Sequence, residues 1–262
     1  MATIAHRTSL PAAVAGLRPT RPVFLDLPFD RLNLEQTLAA LLAVPAGERF
    51  RYLVTPNVDH MLRITQDAEV GKLYREAWLC INDSRVLNLL ARSHGVDLPA
   101  VPGSDLVAAL LTHPSLDKAS PILIVGGGET LVEEVRARTG LTDVSQICPP
   151  MGLRRNPAAL AATVEAIEAV LARFVILAVG SPQQEMLAHA LARRGKATGV
   201  GLCIGAGLEF LVGARRRAPS FFRATNLEWL FRLACEPRRL GRRYLMDGPR
   251  IFRIVWERRP AR

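Results

Sequence analysis

Short apolar runs recur along most of this chain, and between them the apolar positions space out to every third or fourth residue. The runs are "VFLDL" (23–27), "RYLVTP" (51–56), "WLCIN" (78–82), "PILIVGG" (121–127), "VSQIC" (144–148), "RFVILAVG" (173–180) and "ATGVGLCIG" (197–205). Their length and β-branched content predict strands. The intervening stretches predict helices. In "NLEQTLAALLAV", Asn33 can cap while Leu34, Leu38, Leu41 and Leu42 form one stripe. "NPAALAATVEAIEAVLAR" opens with Asn156 as cap and Pro157 at the first helical position. Continuously apolar strands alternating with helices predict an α/β fold: a Rossmann-like, mostly parallel sheet covered by helices on both faces.

After Gly213 the pattern changes. Helical segments around 226–236 and 238–246 are separated by Pro237, which must end or kink a helix, and strand runs stop. The expected organisation is a flexible tail (1–22), an α/β domain (23–212) and a helical appendage (213–262).

Composition sharpens this division. With 49% apolar residues in 262, the chain can bury a large core, and disorder is not expected. The formal charge of +10 lies wholly in the appendage, which holds 14 arginines, no lysine and 4 acids, while residues 1–212 sum to zero. The four cysteines form no C-x-x-C pair, and three lie in strand-like runs, as reduced core thiols of a cytosolic protein would. No apolar run approaches the roughly 18 residues of a membrane span. The first 22 residues lack acids and any apolar signal core, so they read as a tail rather than a leader.

In an open parallel sheet, ligands bind beyond the carboxyl ends of the strands. Five loops stand there: "TPN" (55–57), "NDSR" (82–85), "GGGET" (126–130), "GSPQQE" (180–185) and "GAGLEF" (205–210). The glycines of "VGGGET" would let a backbone approach a nucleotide. However, Leu131 stands where a dinucleotide fingerprint needs its third glycine, and a plain strand-to-helix turn would look the same. Asp83 can be a general base or the N-cap of "SRVLNLLARS". Gln184 and Glu185 fit the ordinary first turn of a helix behind Pro182. There is no D-x-D, no H-x-x-x-H and no P-loop, so a divalent metal has no evident seat.

In order, "TPNVDHM", Asp83, "VPGSDL", "VGGGET", "VGSPQQE", "IGAGLEFLVG", "RRAP" and "LEWLFRLACEPRRLGRRYL" resemble the WecG/TagA/CpsF glycosyltransferase family (glycosyltransferase family 26). The resemblance implies an inverting hexosyl transfer from a UDP-sugar onto a membrane lipid-diphosphate-linked glycan, in polysaccharide or cell-envelope glycan synthesis. It implies Asp83 as general base, with Thr55 and Gln184 beside it in the catalytic group and Asn57 lining the pocket. Gly126, Gly127 and Gly128 fall where the nucleotide is expected. Ser104, Asp105, Glu185 and Glu209 complete the substrate-binding set. The usual glycine after the aspartate is replaced by Ser84, and Ala100 stands where many members carry arginine, which makes Arg85 a candidate phosphate contact.

The expected chemistry needs no cofactor, because arginines can neutralise the departing UDP in place of a metal. Arg215, Arg217, Arg238, Arg239, Arg242 and Arg243 are the candidates. The face formed by Trp229, Leu230, Phe231 and Leu233 suits an anionic membrane surface, so the appendage is read as serving both UDP and lipid. That reading places the protein in the cytoplasm, peripheral to the inner face of the plasma membrane. It expects no nucleic acid and is compatible with a homo-oligomer. Two rivals remain at this level: a nicotinamide-dependent oxidoreductase using "VGGGET", and a nucleic-acid module using the basic C-terminus. The metal expectation can be tested directly. Sugar transfer should persist in excess chelator, and full loss with EDTA, restored by magnesium or manganese, would overturn the arginine-for-metal argument.

Overall fold

The computed structural model describes residues 21–205, 207–213, 231, 233–234, 241 and 248–258. A small antiparallel hairpin opens the fold, with β1 (Val23–Phe24) paired to β2 (Leu27–Pro28). The main sheet contains β3 (Arg51–Val54), β4 (Leu79–Cys80), β5 (Ile122–Val125), β6 (Val144–Ile147), β7 (Phe174–Leu177) and β8 (Val200–Cys203). Its order is β4-β3-β8-β7-β5-β6, and every pair is parallel. The predicted Rossmann-like architecture is therefore what the chain adopts.

Both faces of this sheet are dry. Leu123, Val125, Val175 and Leu177 enter one hydrophobic cluster, while Ile122, Ile124, Phe174 and Ile176 enter the other. Two-residue alternation between two cores is what makes these strands apolar at every position. One face is covered by α1 (Leu34–Leu42), α5 (Gly103–Leu111), α6 (Leu131–Thr139) and α9 (Gly207–Leu211). The other is covered by α2 (Val58–Gln66), α3 (Ala68–Arg75), α4 (Arg85–Arg92), α7 (Pro157–Glu168), α8 (Gln183–Arg194) and α10 (Gly248–Glu257).

The cap residues read from the sequence do their expected work. Asn33 and Gln36 form a reciprocal capping box on α1, and Asn156 accepts from the Ala159 amide ahead of Pro157. "VFLDL" departs from expectation. It is a hairpin closed over two residues, because Leu25 (φ +50°) and Asp26 (φ +62°) both adopt the left-handed conformation. Leu25 is nevertheless buried in the core, which offsets the cost of that backbone.

The far end of the arginine-rich segment belongs to the body. Helix α10 lies against α2, with Ile251 and Val255 buried in the larger core cluster. Its other side leaves Phe252 and Trp256 exposed. Truncation to Ile251→Ala should therefore cost about 2–5 kcal/mol, as for other fully buried large-to-small changes. Urea melts of the full chain measure this; an unchanged midpoint would detach α10 from the core.

Candidate active site

The five expected loops emerge at the carboxyl edge of the six-stranded parallel sheet, and the strand order decides which of them meet. The loops after β4, β3 and β8 are neighbours; the loop after β7 follows, then the glycine loop after β5. At the ~4.8 Å spacing of strands, the tips of β3 and β5 are about 14 Å apart.

Asp83 lies just past β4, and its place is held on three sides. Its main-chain N–H donates to the Pro56 carbonyl (3.1 Å), Oδ1 accepts the Gly103 N–H (2.7 Å), and Oδ2 meets the Asn57 side-chain amide (3.5 Å). The Gly103 amide is available because Pro102, at the N-cap of α5, offers no side-chain acceptor. Glycine suits the position: a Cβ there would lie 3.0 Å from the Thr55 hydroxyl and 3.3 Å from Ile204.

The helix-cap alternative for Asp83 does not hold. Ser84 is the N-cap of α4, accepting from the Leu87 amide at 3.3 Å. Asn82, fully buried, takes the Ser84 N–H (2.9 Å) and donates to the Leu98 carbonyl (2.8 Å). Asp83 is thus not the cap of α4, and it is half-exposed at the sheet edge. Arg85 follows it, exposed in the first turn of α4.

Asn57 caps α2 through the Asp59 and His60 amides, and His60 returns the contact by accepting the Asn57 N–H. Ser104 and Asp105 stand in the first turn of α5, where the serine hydroxyl donates to the carboxylate at 3.3 Å. Helix α9 lies along α5, so close at Gly207 that a Cβ would sit 3.3 Å from the Ser104 Cα. This brings half-buried Glu209 to the same end. Asp83, Asn57, Ser104, Asp105 and Glu209 therefore lie in one neighbourhood.

Three expected site residues lie behind this surface. Thr55 is buried and donates to the Cys203 carbonyl at 3.2 Å. Gln184 and Glu185 are each 1% exposed. Gln184 accepts the Gly205 N–H (2.9 Å) and donates to Glu185 (2.8 Å), which also accepts from the Tyr74 hydroxyl (3.0 Å). Burial pushes the Glu185 carboxyl above its usual range, against the opposing pull of the Gln184 and Tyr74 bonds. The direct substrate contacts expected of Gln184 and Glu185 meet two side chains already engaged inside the fold.

Gly126 and Gly127 have φ of +94° and +90°, and a Cβ on Gly127 would strike Leu131 at 2.3 Å. Only glycine follows this path without strain. Gln146, at the neighbouring end of β6, donates to the carbonyls of Gly126 (2.9 Å) and Gly128 (3.1 Å). Sequence reasoning missed Gln146 and Gly103. A polar residue late in an edge strand, and a helix start without a capping side chain, were the available signals. Arg215, Arg217, Arg238, Arg239, Arg242 and Arg243 lie outside the described residues, as do Trp229 and Leu230. Among the described residues no three His, Cys, Asp or Glu side chains gather as a metal seat, and no helix is long and apolar enough to cross a membrane.

Comparison with known families settles the class. The glycosyl transferase WecG/TagA/CpsF family matches residues 22–262. The chain belongs to that family. Membership makes this WecG/TagA/CpsF protein a glycosyltransferase, of a family tied to cell-envelope glycan synthesis, with a sugar donor and a glycan acceptor as substrates. The third-glycine mismatch of "VGGGET" at Leu131, where α6 begins, is accounted for without a dinucleotide.

The division of work between Ser84 and Asp83 can be tested. Ser84→Ala should lower stability by roughly 0.5–2 kcal/mol, the usual loss of an N-cap, measured by denaturant unfolding. Asp83→Asn should leave the far-ultraviolet spectrum of the helices unchanged; the reverse pattern would return the cap to Asp83.

Proposed function

We propose that this glycosyltransferase moves a hexose from a UDP-sugar to a hydroxyl of a lipid-diphosphate-linked glycan, inverting the anomeric carbon, with Asp83 as general base. The observation that carries this reading is the carboxylate at the sheet edge. It is gripped by the Gly103 N–H and the Asn57 amide and relieved of capping by Ser84. A base must be held in place by its surroundings, and the Gly103 N–H and the Asn57 amide hold this one.

The step is a single displacement. The acceptor oxygen forms its bond to the anomeric carbon as its proton passes to Asp83. On the opposite face, the bond from that carbon to the diphosphate oxygen breaks and leaves the electron pair on UDP. The glycine loop supplies a surface for the nucleotide on which side chains are absent. Arginines of the 213–262 segment, with Arg85, neutralise the leaving group, and bidentate guanidinium contacts suit a diphosphate. Selectivity for uridine and for a hexose rests on the family likeness.

Helix α10 supports a membrane-bound acceptor. It exposes Phe252 and Trp256 on the turn that also exposes Arg253, while its opposite face is buried in the body. Aromatic and basic residues together suit an anionic lipid interface. This favours a peripheral position at the inner face of the membrane, with the acceptor held in the bilayer.

The decisive test is Asp83→Asn. Transfer should fall at least about a hundredfold, while UDP still raises the melting temperature as in the parent protein. Near-normal transfer to a lipid acceptor would assign the base elsewhere.

A further inference from the structure

A row of hydrogen bonds runs behind the loops of the site, from α3 to the end of β8. The hydroxyls of Ser181 and Tyr74 are 3.2 Å apart, and Tyr74 donates to Oε1 of Glu185 at 3.0 Å. The Gln184 amide donates to the same Oε1 at 2.8 Å and accepts the Gly205 N–H at 2.9 Å. Two donors thus converge on one oxygen of Glu185. The other oxygen, Oε2, is buried and has no hydrogen-bond partner among the described residues.

We propose that Glu185 works as an uncharged carboxylic acid that positions Gln184, and through it the Gly205 turn on which Gly103 and Asp83 are seated. Only the kinetic arm of the test rests on reading Asp83 as the base.

The charge state follows from the partners. A carboxylate here would keep one oxygen bare in the interior, stripped of water and given no cation. A proton on Oε2 leaves Oε1 as a carbonyl oxygen able to accept both observed bonds. Tyr74 from α3, Tyr52 from β3 and Cys203 from β8 surround the carboxyl, and burial pushes all three upward, so they stay neutral. Arg63 reaches the same turn but donates to the Ser181 carbonyl and pairs with Asp59. Glu76 and His189 pair with each other on the outer side of the same helices. The N-terminus of α8, the main-chain N–H of Glu185 itself and the hydroxyls of Ser181 and Tyr74 favour the anion with the Gln184 amide, and burial, the largest influence on this group, outweighs them.

The positioning follows from geometry. Gln184 can hold only one orientation, since its amide nitrogen faces an acceptor and its oxygen faces the Gly205 N–H. The segment it grips is held from the other side as well. Cys203 accepts from Thr55, and Ile204 lies where a Cβ on Gly103 would touch it. Gly103 in turn gives its N–H to Asp83. Releasing Gln184 frees one side of that clamp.

The test compares Glu185→Gln, Glu185→Ala, Gln184→Ala and the Ala–Ala double variant in the full chain. An infrared difference spectrum of the parent minus Glu185→Gln at neutral pH should show the carbonyl stretch of a protonated acid; a carboxylate band instead would overturn the proposal, whether or not Glu185→Ala folds. A carboxyl raised in the folded state contributes stability that is full at low pH and lost as pH rises toward its folded value. The parent should therefore lose melting temperature relative to Glu185→Gln as pH climbs above the ordinary carboxyl range, and parallel curves would count against it. Exchange of the Gly205 amide should stay slow in Glu185→Gln and quicken in Glu185→Ala; equal protection would remove the positioning role. In turnover, Glu185→Ala should lose about tenfold or more in kcat, the range expected for small misplacement of a catalytic group, and Glu185→Gln should recover most of that loss; equal losses in the two would count against positioning. The double variant should be no worse than Gln184→Ala, whereas additive losses would sink the idea. A parent protein inactive on UDP-sugars would defeat the proposed function while the spectrum, melts and exchange still decide Glu185.

Discussion

The main-chain amide of Gly103 is the point on which the Asp83 side of this candidate site turns. A helix start without a capping side chain has N–H groups to give away, and here one goes to Asp83 at 2.7 Å. With the Val101 N–H, which donates to the Asn82 carbonyl at 2.7 Å, that bond ties the start of α5 on one face of the sheet to the loop after β4. It works because three consecutive residues divide the labour. Asn82 turns inward to hold the loop, Asp83 turns to the sheet edge, and Ser84 caps α4. Had Asp83 capped the helix, its carboxylate would have been directed at backbone amides of α4 and not at the open edge.

Much of this was legible from residue order. Continuously apolar runs gave the parallel sheet, because strands buried on both faces need apolar side chains at every position. Asn33, Asn156 and Pro157 marked helix starts correctly, since capping is a local interaction between neighbours in sequence. Long-range contacts were not legible. "VFLDL" reads as a short apolar strand, and nothing local reveals that Leu25 and Asp26 fold back in the left-handed conformation. Glu185 looks like an ordinary first-turn acid. Its burial depends on Tyr74, which is 111 residues away and reaches it from another helix.

The distribution of charge has a structural counterpart. Residues 1–212 are electrically balanced, and the remaining fifty carry the whole excess of +10. If that excess serves a departing diphosphate, the body can bury its carboxyl network without attracting it. The Gln184–Glu185–Tyr74 row is built from neutral donors, and the described cations near it, such as Arg63, are paired elsewhere. Segregating the arginines thus separates a body whose formal charges balance from a strongly cationic C-terminal segment.

These two parts are joined by one short helix. Helix α2 begins at Asn57, whose side chain caps it and touches Asp83, and its flank receives α10 with Ile251 and Val255 in the shared core. Nine residues at 1.5 Å rise make it about 13 Å long. The described end of the cationic segment is therefore fastened to the same element that sets Asn57 beside Asp83. A boundary near Gly213, natural by composition, is not a boundary in packing. Removing everything after it would strip two buried side chains from the core beside α2, so loss of activity on truncation would mix missing arginines with a loosened Asn57. Point changes at the arginines, with Ile251 and Val255 left in place, separate charge from support.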